Sequence, residues 1–264
     1  MKRDGHIHTP YCPHGSKDTF EQYIEKAIAL GYEEITFTEH APLPEGFIDP
    51  TPDQDSGMEL GHLEQYLYDL QKVKKIYENE LVIKIGLEVD FIEGYENETA
   101  KFLNQYGPAL DDAILSVHFL LHKGEYECID FSHEVFSRMA ARYGTVDHVH
   151  SHYYQTVLKS ITSDLGKEKP ERIGHITLAR KFQKRYPWTL SHEEEIDAIL
   201  RAINERGYEL DYNGAGSVKP DCGEVYPPED IAKKAQFLGI PLIYGSDAHQ
   251  AKDLAQGHSQ LIFL

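Results

Sequence analysis

Asp4-Gly-His-Ile-His-Thr-Pro-Tyr-Cys-Pro-His14 is the stretch on which the reading of the whole chain turns. His6 and His8 stand two apart in a short segment that reads as a first strand, and strand alternation puts both imidazoles on one face. That is a chelating pair, because a soluble core seldom takes two same-face histidines without a metal or a charged partner. His14 follows after a loop in which Pro10 and Pro13 forbid helix. A site begun at the end of one strand needs ligands from other strands, so the fold is decided by what the later strands end in.

Outward from this stretch, helix and strand signals alternate. Residues 20–30 are predicted to be a helix, with Phe20, Tyr23, Ile24, Ala27 and Leu30 at helical spacing, Asp18 or Thr19 as cap and Gly31 as stop. Residues 33–39 read as a strand running into Thr38-Glu39-His40. A Pro-, Asp- and Gly-rich loop over 41–58 is long enough to cover a site, and a helix follows over 59–77 with Leu60, Leu63, Leu67, Leu70, Val73 and Ile76 on one face. Strands are then predicted over 81–89 with Glu88 and over 113–119 with His118. Helices over 132–142 and 147–163 lead to a short strand over 172–176 with His175. A helix from Ser191 or His192 to about Arg206 precedes a strand over 208–212, which ends at Asn213-Gly-Ala-Gly216. The last helix, 228–238, has Pro in its first turn, and the last strand, 240–246, runs into Asp247-Ala-His249.

About seven strands alternating with helices predict a parallel α/β barrel, with residues 1–264 as one domain. Such barrels build their sites from side chains at the carboxyl ends of the strands. Six of the seven predicted strand ends carry His6, His8, His40, Glu88, His118, His175, Asp247 or His249, which is not how histidines scatter by chance. Glu88 lies in an apolar run, where an unpaired carboxylate is costly, so a metal bridge is the expected role. His62, His133, His192 and His258 fall in helical or terminal polar stretches and read as ordinary residues, as does His122. His148, His150 and His152 crowd a helix start beside Tyr153 and Tyr154, where they are either ordinary or part of a substrate pocket. Cys12 lacks a base and orienter and reads as a loop residue, and Asn213-Gly-Ala-Gly216 lacks the spacing of a phosphate-cradling loop.

Composition narrows the partners. Lys plus Arg number 26 against 44 Asp plus Glu, a net charge of −18 that repels nucleic acid and anionic membranes but not a small phosphorylated ligand. Three cysteines, a polar Met-Lys-Arg-Asp start and no apolar run of membrane length predict neither a disulfide framework nor a signal peptide nor a span, hence a cytoplasmic protein. Mixed histidine and carboxylate donors suit Zn, Mn or Fe rather than Ca or Mg.

The set Asp4-Gly-His6-Ile-His8-Thr with His14, Thr38-Glu39-His40, Gly86-Leu-Glu88, Ser116-Val-His118, Gly174-His175 and Gly245-Ser-Asp247-Ala-His249 resembles the successive motifs of the PHP (polymerase and histidinol phosphatase) family. The resemblance implies a distorted seven-stranded TIM-like (β/α)7 barrel holding up to three divalent ions. By that resemblance one ion takes His6, His8, Glu88 and Asp247, a second takes Glu88, His118 and His175, and a third takes His14, His40 and His249. Within the family the chain is most similar to the histidinol-phosphate phosphatases. This implies hydrolysis of L-histidinol phosphate, in histidine biosynthesis, by a hydroxide formed from water shared between bridged metals. It also implies phosphate contacts from Arg180 and from Lys219, where arginine is the expected residue, and leaves Asp247, His249 or a metal-held water to supply the leaving-group proton. Three divalent ions less two carboxylates leave a local charge of roughly +4, enough to attract a phosphate monoester. Nucleotide or phosphotyrosine substrates, and a metal-bound regulatory module without catalysis, are the alternatives.

Overall fold

The structure, a computed structural model, describes residues 2–262. Strand β1 (Arg3–Ile7), helix α1 (Phe20–Ala29) and strand β2 (Glu34–His40) form the first crossover, the two strands pairing in parallel. Thr19 is the cap of α1: its hydroxyl accepts from Gln22 N while the Gln22 side chain accepts from Thr19 N, satisfying two otherwise unpaired amides reciprocally. Asp18, the other predicted cap, instead accepts from Ala251 N at 2.8 Å and ties this turn to the far end of the chain. The predicted helix over 59–77 begins as a 3-10 turn, Leu60–His62, and becomes α2 over Leu63–Ile76. Strand β3 (Val82–Asp90) then pairs with every residue of β2.

Helix α3 (Glu96–Tyr106) has no counterpart among the sequence expectations. It buries only Thr99 and Leu103, too thin an apolar stripe to announce a period. Strand β4 (Asp112–Ser116) is shorter than the predicted 113–119, so His118 lies just beyond it rather than on it. There the chain leaves the barrel for a hairpin, β5 (Phe119–His122) and β6 (Glu125–Cys128). Its turn residues Lys123 and Gly124 have φ of 51° and 84°, the left-handed pair that a two-residue hairpin loop requires.

Helices α4 (His133–Tyr143) and α5 (Val146–Thr162) follow, capped by the Ser132 and Thr145 hydroxyls. Strand β7 (Arg172–Ile173) is only two residues of the predicted five, so His175 also stands beyond its strand. Helix α6 (Glu193–Arg206), strand β8 (Glu209–Asn213), helix α7 (Glu229–Phe237) and strand β9 (Leu242–Gly245) complete the chain close to expectation.

The large sheet runs β1-β2-β3-β4-β7-β8-β9, every neighbouring pair parallel. It closes between β9 and β1 through a bridge of Ile7 with Ala248 and through Asp247 N donating to His6 O at 2.7 Å. Closure confined to the strand ends makes this a distorted (β/α)7 barrel. Phe37, Leu87, Leu115, Ile173 and Leu210 belong to the main buried hydrophobic cluster, where Phe37 packs edge-on against Phe20 and Tyr23 of α1. Among the described residues no helix is long and apolar enough to cross a membrane.

Candidate active site

Glu88, near the end of β3, is buried and is where the site converges. Its Oε2 lies 3.5 Å from His6 Nε2, 3.6 Å from His8 Nε2 and 3.1 Å from His40 Nδ1. Its Oε1 lies 3.0 Å from His175 Nε2 and 3.9 Å from His118 Nε2, and accepts from Ser116 Oγ at 2.6 Å. One carboxylate thus faces two sets of imidazoles, one per oxygen. Asp247 completes the first set, with Oδ1 3.2 Å from His8 Nε2 and 3.9 Å from His6 Nε2. It does so at φ 54°, a left-handed conformation that non-glycine residues adopt at a cost and that recurs at functional positions.

The electrostatics show how tightly these groups are coupled. Burial opposes charge on Glu88, yet His6, His175 and His40 hold its carboxyl well below the usual range. Asp247 is depressed in the same way, against burial, by His6 and His8. Burial works against protonation of His8 too, but Asp247 and Glu39 lift it to about 9, and Asp90 lifts His118 to about 10. His40 and His249 are pushed down, first by burial and then by the nearby His8. Buried His6 Nε2, His8 Nε2 and His40 Nδ1 have no hydrogen-bond partner although all three face Glu88. Orphaned ring nitrogens around a carboxylate are what a divalent cation satisfies. Among the described residues three clusters have the spacing to hold an ion: His6, His8 and Asp247; Glu88, His118 and His175; and His8, Cys12, His40 and His249.

The outer partners of these histidines escaped the sequence reading. Asp211 Oδ2 lies 2.9 Å from His6 Nδ1, Glu39 Oε1 3.1 Å from His8 Nδ1 and Asp90 Oδ1 2.8 Å from His118 Nδ1. Each carboxylate takes the Nδ1–H, which fixes the tautomer and leaves Nε2 free toward the centre. Asn213 Nδ2 donates to both Asp211 and Asp247, joining the partner of His6 to Asp247. The signal was present: Asp211 is an acid in a buried strand, the same anomaly that marked Glu88, on the one strand that ends without a ligand.

His14 is the most exposed member of the predicted set. Its ring lies 5.1 Å from that of His40 and 5.2 Å from that of His249, and its Nδ1–H donates to Asp55 O at 2.9 Å. Cys12, read as a loop residue, has its buried thiol at the third cluster. Above the clusters opens a cavity of 470 Å³ lined by His14, His40, Glu88, His118, His175, Asp247 and His249. Lys219 lines it, and Arg180 does not. Arg180 is buried with its guanidinium 3.6 Å from Glu224 and 4.9 Å above the Trp188 ring. It sits on the 3-10 segment Leu178–Phe182, where neighbouring side chains splay to different sides. The residue that reaches the cavity is Lys181, held by Asp130 at 2.9 Å. The histidines of α5 do not line the cavity; His150 packs 5.2 Å from Trp188 and 5.7 Å from His192 instead.

A parallel barrel whose strand ends deliver histidines and carboxylates around one shared glutamate defines a barrel with a metal-capable centre. Residues 4–215 match the PHP domain, and the chain belongs to that family. It is 46% identical to the histidinol-phosphatase of Bacillus subtilis strain 168, an alignment covering 99% of this chain and 98% of that one. The crystal structure of a Listeria monocytogenes protein with a provisional histidinol-phosphatase designation superposes with a TM-score of 0.95 at 41% identity, covering 99% of this chain and all of that one. A Lactococcus lactis histidinol phosphate phosphatase, solved with Zn, L-histidinol and phosphate, shares the fold at a TM-score of 0.68 and 23% identity, over 95% of this chain and 87% of that one.

Proposed function

We propose that the protein hydrolyses L-histidinol phosphate to L-histidinol and phosphate, a step of histidine biosynthesis carried out in the cytoplasm. The observation that carries this reading is 46% identity over 99% of the chain with a histidinol-phosphatase, combined with ligand-competent residues at every position of the predicted metal set. We treat the whole chain as one domain, because Asp247 and His249 come from beyond the stretch matched to the family.

His6, His8, Glu88 and Asp247 would hold one divalent ion, Glu88, His118 and His175 a second, and His40 and His249 with His14 or Cys12 a third. Zn, Mn and Fe suit such donors, and when bound they acidify water and offset the charge of phosphoryl oxygens. The rest of the chemistry belongs to this chain's own groups. Lys181 and Lys219, in the same cavity wall, offer ammonium donors to the phosphate. Asp130 positions Lys181 through both its carbonyl, at 2.7 Å, and its carboxylate. Asp247 and His249, 3.5 Å apart at the cavity, are the side chains placed to carry the leaving-group proton.

Phosphate release from L-histidinol phosphate, nucleotide phosphates and aryl phosphates, with Mn, Zn or Fe and with a chelated control, tests this reading. Chelator-sensitive preference for L-histidinol phosphate is expected, and silence on that ester with metal bound refutes the substrate. In the same assay Lys181→Met should raise KM, whereas Arg180→Ala should lower the melting temperature with KM unchanged. A raised KM in Arg180→Ala alone would return the phosphate contact to Arg180.

A further inference from the structure

One residue of the cavity wall has no structural reason for its type. Phe131 lines the cavity yet is 41% exposed, and among the described residues it belongs to no hydrophobic cluster and pairs with no other aromatic ring. Its exposure does not come from a loose chain. On one side Asp130 is clamped by Lys181, and on the other the Ser132 hydroxyl caps α4 by accepting from Val135 N at 3.2 Å. The backbone therefore presents the ring into the cavity from between two fixed points. Most of the remaining wall is histidine, carboxylate, lysine and amide, so Phe131 is the largest exposed apolar surface a ligand meets there.

We propose that Phe131 is a specificity-determining residue whose ring forms the platform for a flat ring on the leaving alcohol of the substrate. The inference rests on the proposed phosphatase reading and assigns the part of that site which handles the end of the ester away from phosphorus. A preformed aromatic face suits an imidazole, because stacking adds to area burial without ordering a flexible side chain. Asp53, Asp55 and Asp253 line the same cavity, so a cationic amine or imidazolium beside the ring meets charge of the right sign. A phosphate ester of a small aliphatic alcohol has nothing to lay on Phe131 and gains nothing from it.

The test compares kcat/KM of wild type, Phe131→Ala and Phe131→Trp on L-histidinol phosphate, phenyl phosphate and glycerol 3-phosphate. In Phe131→Ala the preference for L-histidinol phosphate over glycerol 3-phosphate should fall about tenfold, and Phe131→Trp should restore most of it. A parallel loss on all esters, or an unchanged ratio, overturns the assignment. If wild type does not hydrolyse L-histidinol phosphate, the substrate reading falls separately, and the ratio of phenyl to glycerol phosphate then decides the role of Phe131. An unchanged melting temperature in Phe131→Ala is expected from its exposure and separates lost recognition from lost folding.

Discussion

Glu39 is the residue on which the orientation of the proposed metal ligands can be tested most cleanly. Its Oε1 accepts from His8 Nδ1 at 3.1 Å and from His40 N at 2.9 Å, while Oε2 accepts from Thr9 N at 2.8 Å and from the Thr9 hydroxyl. Burial disfavours its charge, but His8 and the other donors hold the carboxyl below its ordinary value. Glu39→Gln keeps the shape and replaces one acceptor by a donor. The amide NH2 fits better against Thr9, whose hydroxyl can turn to accept, than against two fixed N–H groups. Thr9 N is then a buried donor without a partner, which costs about 1–3 kcal/mol. For a chain of this size that lowers the melting temperature of the metal-free protein by about 3–10 °C. His8 keeps its tautomer but loses the anionic partner that makes it a strong ligand, so metal affinity should fall about tenfold, and about a hundredfold in Glu39→Ala. Competition against a chromophoric chelator measures the affinity, and circular dichroism melts in excess chelator measure the stability. A Glu39→Gln protein that binds metal as tightly as wild type would refute the orienting role.

Two further outcomes follow from the packing. His150 is buried with neither ring nitrogen paired, and burial, then His192 and Arg180, pushes it down to about 3. Because the folded state binds this proton less readily than the unfolded chain, stability is lost as pH falls from about 6.5 toward 3, by about 1.4 kcal/mol per pH unit. Urea midpoints across that window should therefore show a shallower acid loss in His150→Phe, and identical slopes would contradict the assignment. At Gly174 a methyl group would lie 2.0 Å from Ser116 Oγ and 3.1 Å from Ile114 Cγ2. Gly174→Ala should push Ser116 off Glu88 and displace His175, lowering metal content after dialysis while the far-ultraviolet spectrum is retained; full metal content would show that the wall can yield.

The chemistry of the centre was legible in the chain because it is written at strand ends. Apolar alternation locates the strands, and the residue just after each is visible without coordinates, so His6, His8, His40, Glu88, His118, His175, Asp247 and His249 could be gathered by position. The barrel followed from the same alternation. The extent of β4 and β7 did not, because strand extent is set by pairing with neighbours, and β7 pairs with β4 and with β8 over two residues only. The orienting acids stayed hidden for a related reason: Asp211 meets His6 only once the ring has brought β8 and β9 round to β1. The choice between Arg180 and Lys181 is the sharpest case. Adjacent and both basic, they are equivalent as letters, and only the splay of a 3-10 turn sends Lys181 to the cavity and Arg180 to Glu224. Sequence thus determined which donor atoms the protein has and the order in which strands deliver them. Tertiary structure decided which way each donor points, because direction depends on contacts between residues far apart in the chain.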